Sequence, residues 1–453
     1  MDKRPVLYTL TSGLHTEMAS DAAREPFIQG IEAALGVPFA CRGEDFSTYG
    51  QTDAPELIYV RTGGTEGLFL EKVAPLLARG QQLGPSAGAP DRDSDYPAIP
   101  LEGAQGVMRQ GKQPVRLLTS GLSNSLAASM EILSWLRQRG IDGEILHGRA
   151  EEIAERLRRA GVSARSHADP DAPVSPDAGT MVRPYTFGRI LAGKRYGVVG
   201  LPSDWLISSG VDPSVVRDRL GAELVDFPIG ELVEEVRQAG HENAPDPATS
   251  LKPLNAPKYG RKIDAADWQG ALDIYGALRS LARRYHLDGL TLRCFDLLTA
   301  LHNTGCLALA MLNAEGITAT CEGDIPAMLS MAVAQARTGK ASFQANLSRI
   351  DGDRLLFAHC TVPLSIVRDY CYDTHFESGI GVAIHGELPE GPVTLFKLSP
   401  DCRRMFCQPA HLTANTYADR LCRTQVVVEA PGAADYFLQT PIGNHHIIVP
   451  GNL

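Results

Sequence analysis

Up to about residue 339, short apolar runs end in polar or glycine-containing turns that open directly onto helical segments. Strand, turn, helix is how a chain builds parallel sheet, because neighbouring parallel strands need a crossover and a helix is the usual one. One such unit is residues 57–61, then Thr62-Gly63-Gly64-Thr65-Glu66, then a helical 67–78. A second is 115–118, a polar turn at 119–125 and a helical 126–139; a third is 317–321, Glu322-Gly323-Asp324 and a helical 325–336. Further strands are expected at 6–10, 143–147, 196–199, 223–227 and 289–294, and further helices at 27–35, 150–160, 215–220, 265–285 and 306–314. Beyond about residue 339 the helical period fades. Short β-like runs separated by turns replace it, at 341–346, 355–359, 381–384, 393–399, 424–428 and 446–449. The expected architecture is therefore two doubly wound, Rossmann-like α/β domains, 1–170 and 171–338, followed by a mostly β C-terminal domain, 339–453. The Asp/Pro/Ser-rich stretch 166–179 reads as a hinge, and 84–100 and 243–260 read as loops.

A chain of 453 residues buries substantial cores without covalent staples. Its net charge of -10 argues against a nucleic-acid surface, which needs Lys and Arg to neutralise phosphates. No run approaches the roughly 18 apolar residues of a membrane span, and the start of the chain lacks the apolar stretch of a signal peptide. The nine cysteines are scattered, with no C-x-x-C pair, as suits reduced thiols. A cytoplasmic protein with neither nucleic acid nor membrane as partner is expected.

The strongest constellation is Glu322-Gly323-Asp324, straight after a strand and opening a helix. Ligands of doubly wound sheets sit at the carboxyl ends of the strands, and two carboxylates flanking a glycine there suit a divalent cation. Asp324 reads equally as the helix cap. His359 ends the apolar run 355–358, and Asn444-His445-His446 ends a turn and enters a strand. Adjacent strand residues point to opposite faces, so at most one of His445 and His446 faces a given site. Asn124, Asp204, Trp205 and Arg293 lie at other strand ends. Asp204 and Trp205 suit a sugar pocket, Asn124 a substrate contact and Arg293 an anionic substituent. Capping, core packing and a surface cation are the plainer readings of the same residues. Thr62–Glu66 has the shape of a ligand cradle but lacks the lysine and the full glycine pattern of nucleotide-binding loops.

Read in order, six motifs resemble the L-fucose isomerase/L-arabinose isomerase superfamily, in particular its short fucose-isomerase-like members. They are Thr62-Gly63-Gly64-Thr65-Glu66, Ser123-Asn124-Ser125-Leu126-Ala127-Ala128 with Glu131 in the helix that follows, Pro202-Ser203-Asp204-Trp205-Leu206-Ile207, Glu322-Gly323-Asp324, Ser342-Phe343-Gln344-Ala345-Asn346 and Gly443-Asn444-His445-His446. The resemblance implies a metal-dependent aldose–ketose isomerase acting on an open-chain pentose, deoxyhexose or modified hexose such as a sulfosugar. It implies Mn²⁺ or a similar divalent ion held by Glu322, Asn346, His359 and His446, with His445 as the alternative in the late turn. Glu322, Asp324 and His445 become the candidates for proton transfer, and a homo-oligomer such as a hexamer is the implied assembly. Asn346 departs from the pattern: the superfamily has a carboxylate there, which both ligates and shuttles a proton, whereas an amide exchanges none. An epimerase or lyase on the same scaffold, or a non-catalytic sugar-binding protein, are the other expectations.

Overall fold

The computed structural model describes residues 4–13, 21–78, 113–163, 181–243, 251–254 and 262–453. The expected hinge at 166–179 and the loop at 84–100 lie outside the described residues, as does most of the loop at 243–260.

Five parallel strands form the first sheet, in the spatial order Ala40–Gly43, Val6–Leu10, Glu56–Val60, Val115–Thr119 and Gly143–Leu146. Their central members are apolar nearly throughout, because helices cover both faces. Leu7, Leu57, Tyr59, Leu118 and Leu146 pack on one side against Ile28, Ile31, Ile153 and Leu157 of the helices Pro26–Leu35 and Ala150–Ser163. Tyr8, Leu10, Ile58, Val60 and Leu117 face the other way, into the cluster containing Phe69 and helix Ser125–Gln138. The second sheet runs Thr318–Cys321, Gly289–Leu292, Arg195–Val199, Glu223–Phe227, again all parallel. Numbered in chain order within each sheet, both share the neighbour sequence 2-1-3-4, so the two halves repeat one winding.

The C-terminal part is a closed barrel. Gly391–Leu398, His446–Pro450, Phe343–Asp351, Arg354–His359, Thr424–Glu429 and Arg404–Thr416 pair antiparallel in that order, and the last returns to pair with the first. Closure leaves no free edge. Arg404–Thr416 manages it as a corner strand. Its first part pairs with Gly391–Leu398, its end pairs with Thr424–Glu429, and a register shift between Leu412 and Ala414 bends it. Val182–Pro184 adds to the start of the same strand. Ile448 joins the cluster of Phe406 and Phe437 on one face of the last strand, while Ile447 and Val449 join the cluster containing helix Ile325–Thr338 on the other. No described helix is long and apolar enough to cross a membrane.

Candidate metal centre

Glu322 follows strand Thr318–Cys321 in a left-handed conformation, φ 65°, which a residue with a Cβ adopts only at a cost of roughly 1–3 kcal/mol. Gly323 continues the turn at φ 68°, and a Cβ there would overlap the Leu201 carbonyl. Backbone bonds from Gly323 N to Leu292 O and from Ser203 N to Glu322 O, each 3.0 Å, tie the turn to its neighbours. The barrel docks on the same spot: the Gln344 amide oxygen accepts from Cys321 N at 2.8 Å. Asp324 caps helix Ile325–Thr338, accepting from Ala327 N at 2.7 Å.

Around this turn, side chains from three distant stretches meet. Glu322, His359 and His445 form a buried group whose ligand atoms lie within 4.8 Å of one another. Glu322 Oε1 is 3.3 Å from His445 Nε2 and 3.8 Å from His359 Nε2. Oε2 turns away and accepts from Trp205 Nε1 at 2.6 Å. Each histidine is oriented through its other nitrogen, His445 Nδ1 by Asp324 Oδ2 at 2.8 Å and His359 Nδ1 by Thr361 Oγ1 at 2.8 Å. His445 Nε2 makes no hydrogen bond despite its short distance to Glu322. Three donors of oxygen and imidazole type, two of them histidines held by an outer partner, form a set that can hold a divalent metal ion. Asn346 Oδ1 is buried and unpartnered, and Asn346 lines the adjoining cavity together with Glu322.

Electrostatically the cluster favours its charged forms. Burial opposes ionisation of Glu322, but the His445 charge and, after it, the His359 imidazole 3.8 Å away outweigh it and hold the carboxyl well below the usual carboxylate range. Burial likewise opposes charge on Asp324, and Lys397, 3.5 Å away, reverses the balance and leaves that carboxyl low. For His445, burial is overcome first by Glu322, then by the Asp324 hydrogen bond, and without a metal the imidazole is raised to about 9.

His446 requires a correction. It was expected as the ligand of the late turn, yet it takes the face of Ile448, among Phe406, Tyr436 and Phe437. Its Nδ1 donates to Asn444 O at 2.9 Å, and its Nε2 accepts from Tyr436 Oη at 2.8 Å, which itself accepts from Ile442 N. Burial and then the charge of Lys397 push it down to about 3. Both nitrogens are used, so the place at the centre falls to His445, one residue earlier and on the opposite strand face.

Beside the centre lies a narrow cavity of about 30 Å³ whose lining includes Glu322, Asn346, Trp205, Phe295 and Asn444 together with Gly63, Gly64, Glu66, Asn124, Ala127, Ala128 and Glu377. Asn124 and Trp205, both singled out from the sequence, are among its lining residues. Asp204 and Arg293 do not line it. They pair with each other at 2.7 Å, Arg293 also holding Asp296 and Pro202 O, and the Asp204 side chain is 81% exposed. The ion pair satisfies both groups at the surface, which removes Arg293 as an anion clamp. Sequence reasoning missed Glu66, Phe295, Glu377 and Asn444. Only Glu66 and Asn444 carried a signal, since both sit inside turns already singled out.

Four buried oxygens facing this cavity lack a hydrogen-bond partner: Glu66 Oε2, Asn124 Oδ1, Asn346 Oδ1 and Asn444 Oδ1. An unpaired buried polar atom costs about 1–3 kcal/mol, and four around one space describe a site that awaits hydroxyl or amide donors. All nine cysteines are free, with Cys294 Sγ and Cys321 Sγ 2.9 Å apart. In comparison with known proteins, no family model and no curated protein matches this chain.

Proposed function

We propose that the protein is a metal-dependent aldose–ketose isomerase working on an open-chain sugar, the activity that the ordered resemblance of its six motifs implies. The observation that carries the reading is the meeting of those motifs. Parts of all six, separated by hundreds of residues, lie at the Glu322–His359–His445 group, at the cavity beside it, or at side chains bound to them. A donor set of one carboxylate, two imidazoles and an amide oxygen suits Mn²⁺. Held there, such an ion polarises neighbouring sugar oxygens and stabilises the negative charge that develops between C1 and C2.

The chain's own residues do the rest. Glu322, gripped through Oε2 by Trp205 and facing the histidines through Oε1, serves as ligand. Asp324 orients His445 from within a helix cap and has no lining role in the cavity. Asn124 and Asn444 offer acceptors to sugar hydroxyls, and the Trp205 and Phe295 rings, 4.9 Å apart and edge to face, supply apolar walls. Asn346 favours a second reading, a metal-assisted epimerase or lyase, because it cannot exchange a proton.

The test is a panel of aldoses and ketoses, including deoxy and sulfonated sugars, incubated with the protein and Mn²⁺ and read for interconversion. One aldose–ketose pair should equilibrate with solvent deuterium entering at carbon. Epimerisation or carbon–carbon cleavage in its place would support the second reading, and no reaction with any sugar would count against both.

A further inference from the structure

Among the buried acids around the site, Glu66 is used differently from the rest. Glu131 is saturated, its carboxylate accepting from Ser208 N at 2.7 Å and from Ser209 Oγ at 3.0 Å. Asp324 and Glu322 are held as described, and Glu377 accepts from Asn124 Nδ2 at 2.9 Å. Glu66 is 1% exposed, its Oε2 has no partner, and it lines the cavity together with Glu322 and Asn346. The turn is closed by its threonines, Thr65 Oγ1 donating to Thr62 O at 3.0 Å and Thr62 Oγ1 accepting from Ser12 N at 3.0 Å, and the backbone hydrogen bonds that Thr65 and Glu66 give the Glu66 carboxyl still leave Oε2 without a partner. Its position is nonetheless rigid. Gly63 N donates to Ser123 O at 2.7 Å, and a Cβ on Gly63 would stand 2.9 Å from Asn124 Cβ, so the turn is pressed against the second cavity turn. A buried oxygen kept without a partner, on a residue that lines a cavity, points to a group whose partner is a ligand.

Isomerisation moves a carbon-bound proton from C2 to C1 and an oxygen-bound proton from O2 to O1. Building on the isomerase reading, we propose that Glu66 is the acid–base group that carries the oxygen-bound proton. From aldose to ketose, its carboxylic acid gives the proton to O1 as the C1–O double bond becomes single. The carboxylate left behind takes the O2 proton as the C2–O bond becomes double. The carbon-bound proton is transferred separately and nothing is consumed. Burial holds the Glu66 carboxyl well above the usual carboxylate range, and the charges of Glu131 and Glu322 push the same way, which favours the acid form that the first transfer requires.

The experiment compares the unaltered protein with Glu66→Gln on the sugar pair found by the panel, with Mn²⁺ binding and thermal melting measured alongside. The amide should keep the fold, the Mn²⁺ affinity and, within about threefold, KM, while kcat falls at least about 100-fold. Unchanged kcat, or a loss confined to KM, would overturn the role and leave Glu66 a contact only. If the amide variant melts early, Glu66→Ala with added formate is the second test: recovery of turnover supports the shuttle, and no recovery overturns it. An unaltered protein that converts no sugar would instead overturn the isomerase reading on which this role rests.

Discussion

His445 bridges two carboxylates with one ring, Nδ1 at 2.8 Å from Asp324 Oδ2 and Nε2 at 3.3 Å from Glu322 Oε1. A helix cap and a metal donor are thereby joined through a single imidazole. Asp324→Asn keeps a capping side chain but leaves the fully buried Lys397 without its carboxylate, so stability should fall by roughly 3–5 kcal/mol. It removes the charge that orients His445, and Mn²⁺ affinity by titration calorimetry should fall roughly 10–100-fold. An affinity equal to that of the unaltered protein would show that the bridge does not tune the site.

His445 and His446 are neighbours with separate duties. His446→Ala empties a place in the barrel core and strips Tyr436 of its partner, which should cost about 2–4 kcal/mol while Mn²⁺ binding survives. His445→Ala should lose the ion while the barrel core stays intact. Denaturant melts and metal titrations of the two variants form one experiment, and a reversed pattern would restore His446 as the ligand.

The two α/β halves were legible because their signal is local. Apart from the exposed edge strand Ala40–Gly43, which no apolar run announces, each strand carries its apolar run and most turns their glycine or cap within a dozen or so residues. Barrel closure was not, since Arg404–Thr416 contains Pro409 and alternates polar residues on its solvent side, and its closing partner is chosen by long-range register. Strand alternation showed that one of His445 and His446 must turn away. Which one depended on whether the face of Ile448 or that of Ile447 packs inside the barrel, a fact of tertiary structure. Asp204 and Arg293 stood at strand ends as expected, but their mutual ion pair is invisible to spacing. Glu66 was seen within its turn, and its unpartnered oxygen became visible only when the distant Glu322 and Asn346 arrived beside it.

The metal-free cluster should respond to pH in a defined sense. His445, raised to about 9 against an unfolded value of roughly 6.5, contributes stability that is fully present below about pH 6.5 and is lost as the pH rises through about 9. Glu322 and Asp324, held low, contribute stability that is present above about pH 4.5 and is lost on further acidification. The melting temperature without metal should therefore decline from about pH 6.5 toward pH 9. Mn²⁺ must displace the His445 proton, so its affinity should climb up to about tenfold per pH unit over that range. A flat affinity between about pH 6 and 9 would contradict the assignment of His445.

Gly323 is the hinge of the turn that presents Glu322. Alanine there meets both an unfavourable φ of 68° and the Leu201 carbonyl. Gly323→Ala should cost more than about 2 kcal/mol and weaken Mn²⁺ binding together with stability. A variant with normal melting and normal metal affinity would show that the turn is not what sets the donor.

Titration of the metal-free protein with Mn²⁺, beside a triple variant carrying Glu322→Ala, His359→Ala and His445→Ala, tests the centre most directly. One ion held per unaltered chain and none by the folded triple variant is the predicted result. Equal stoichiometric binding by both proteins, or none by the unaltered one, would contradict it.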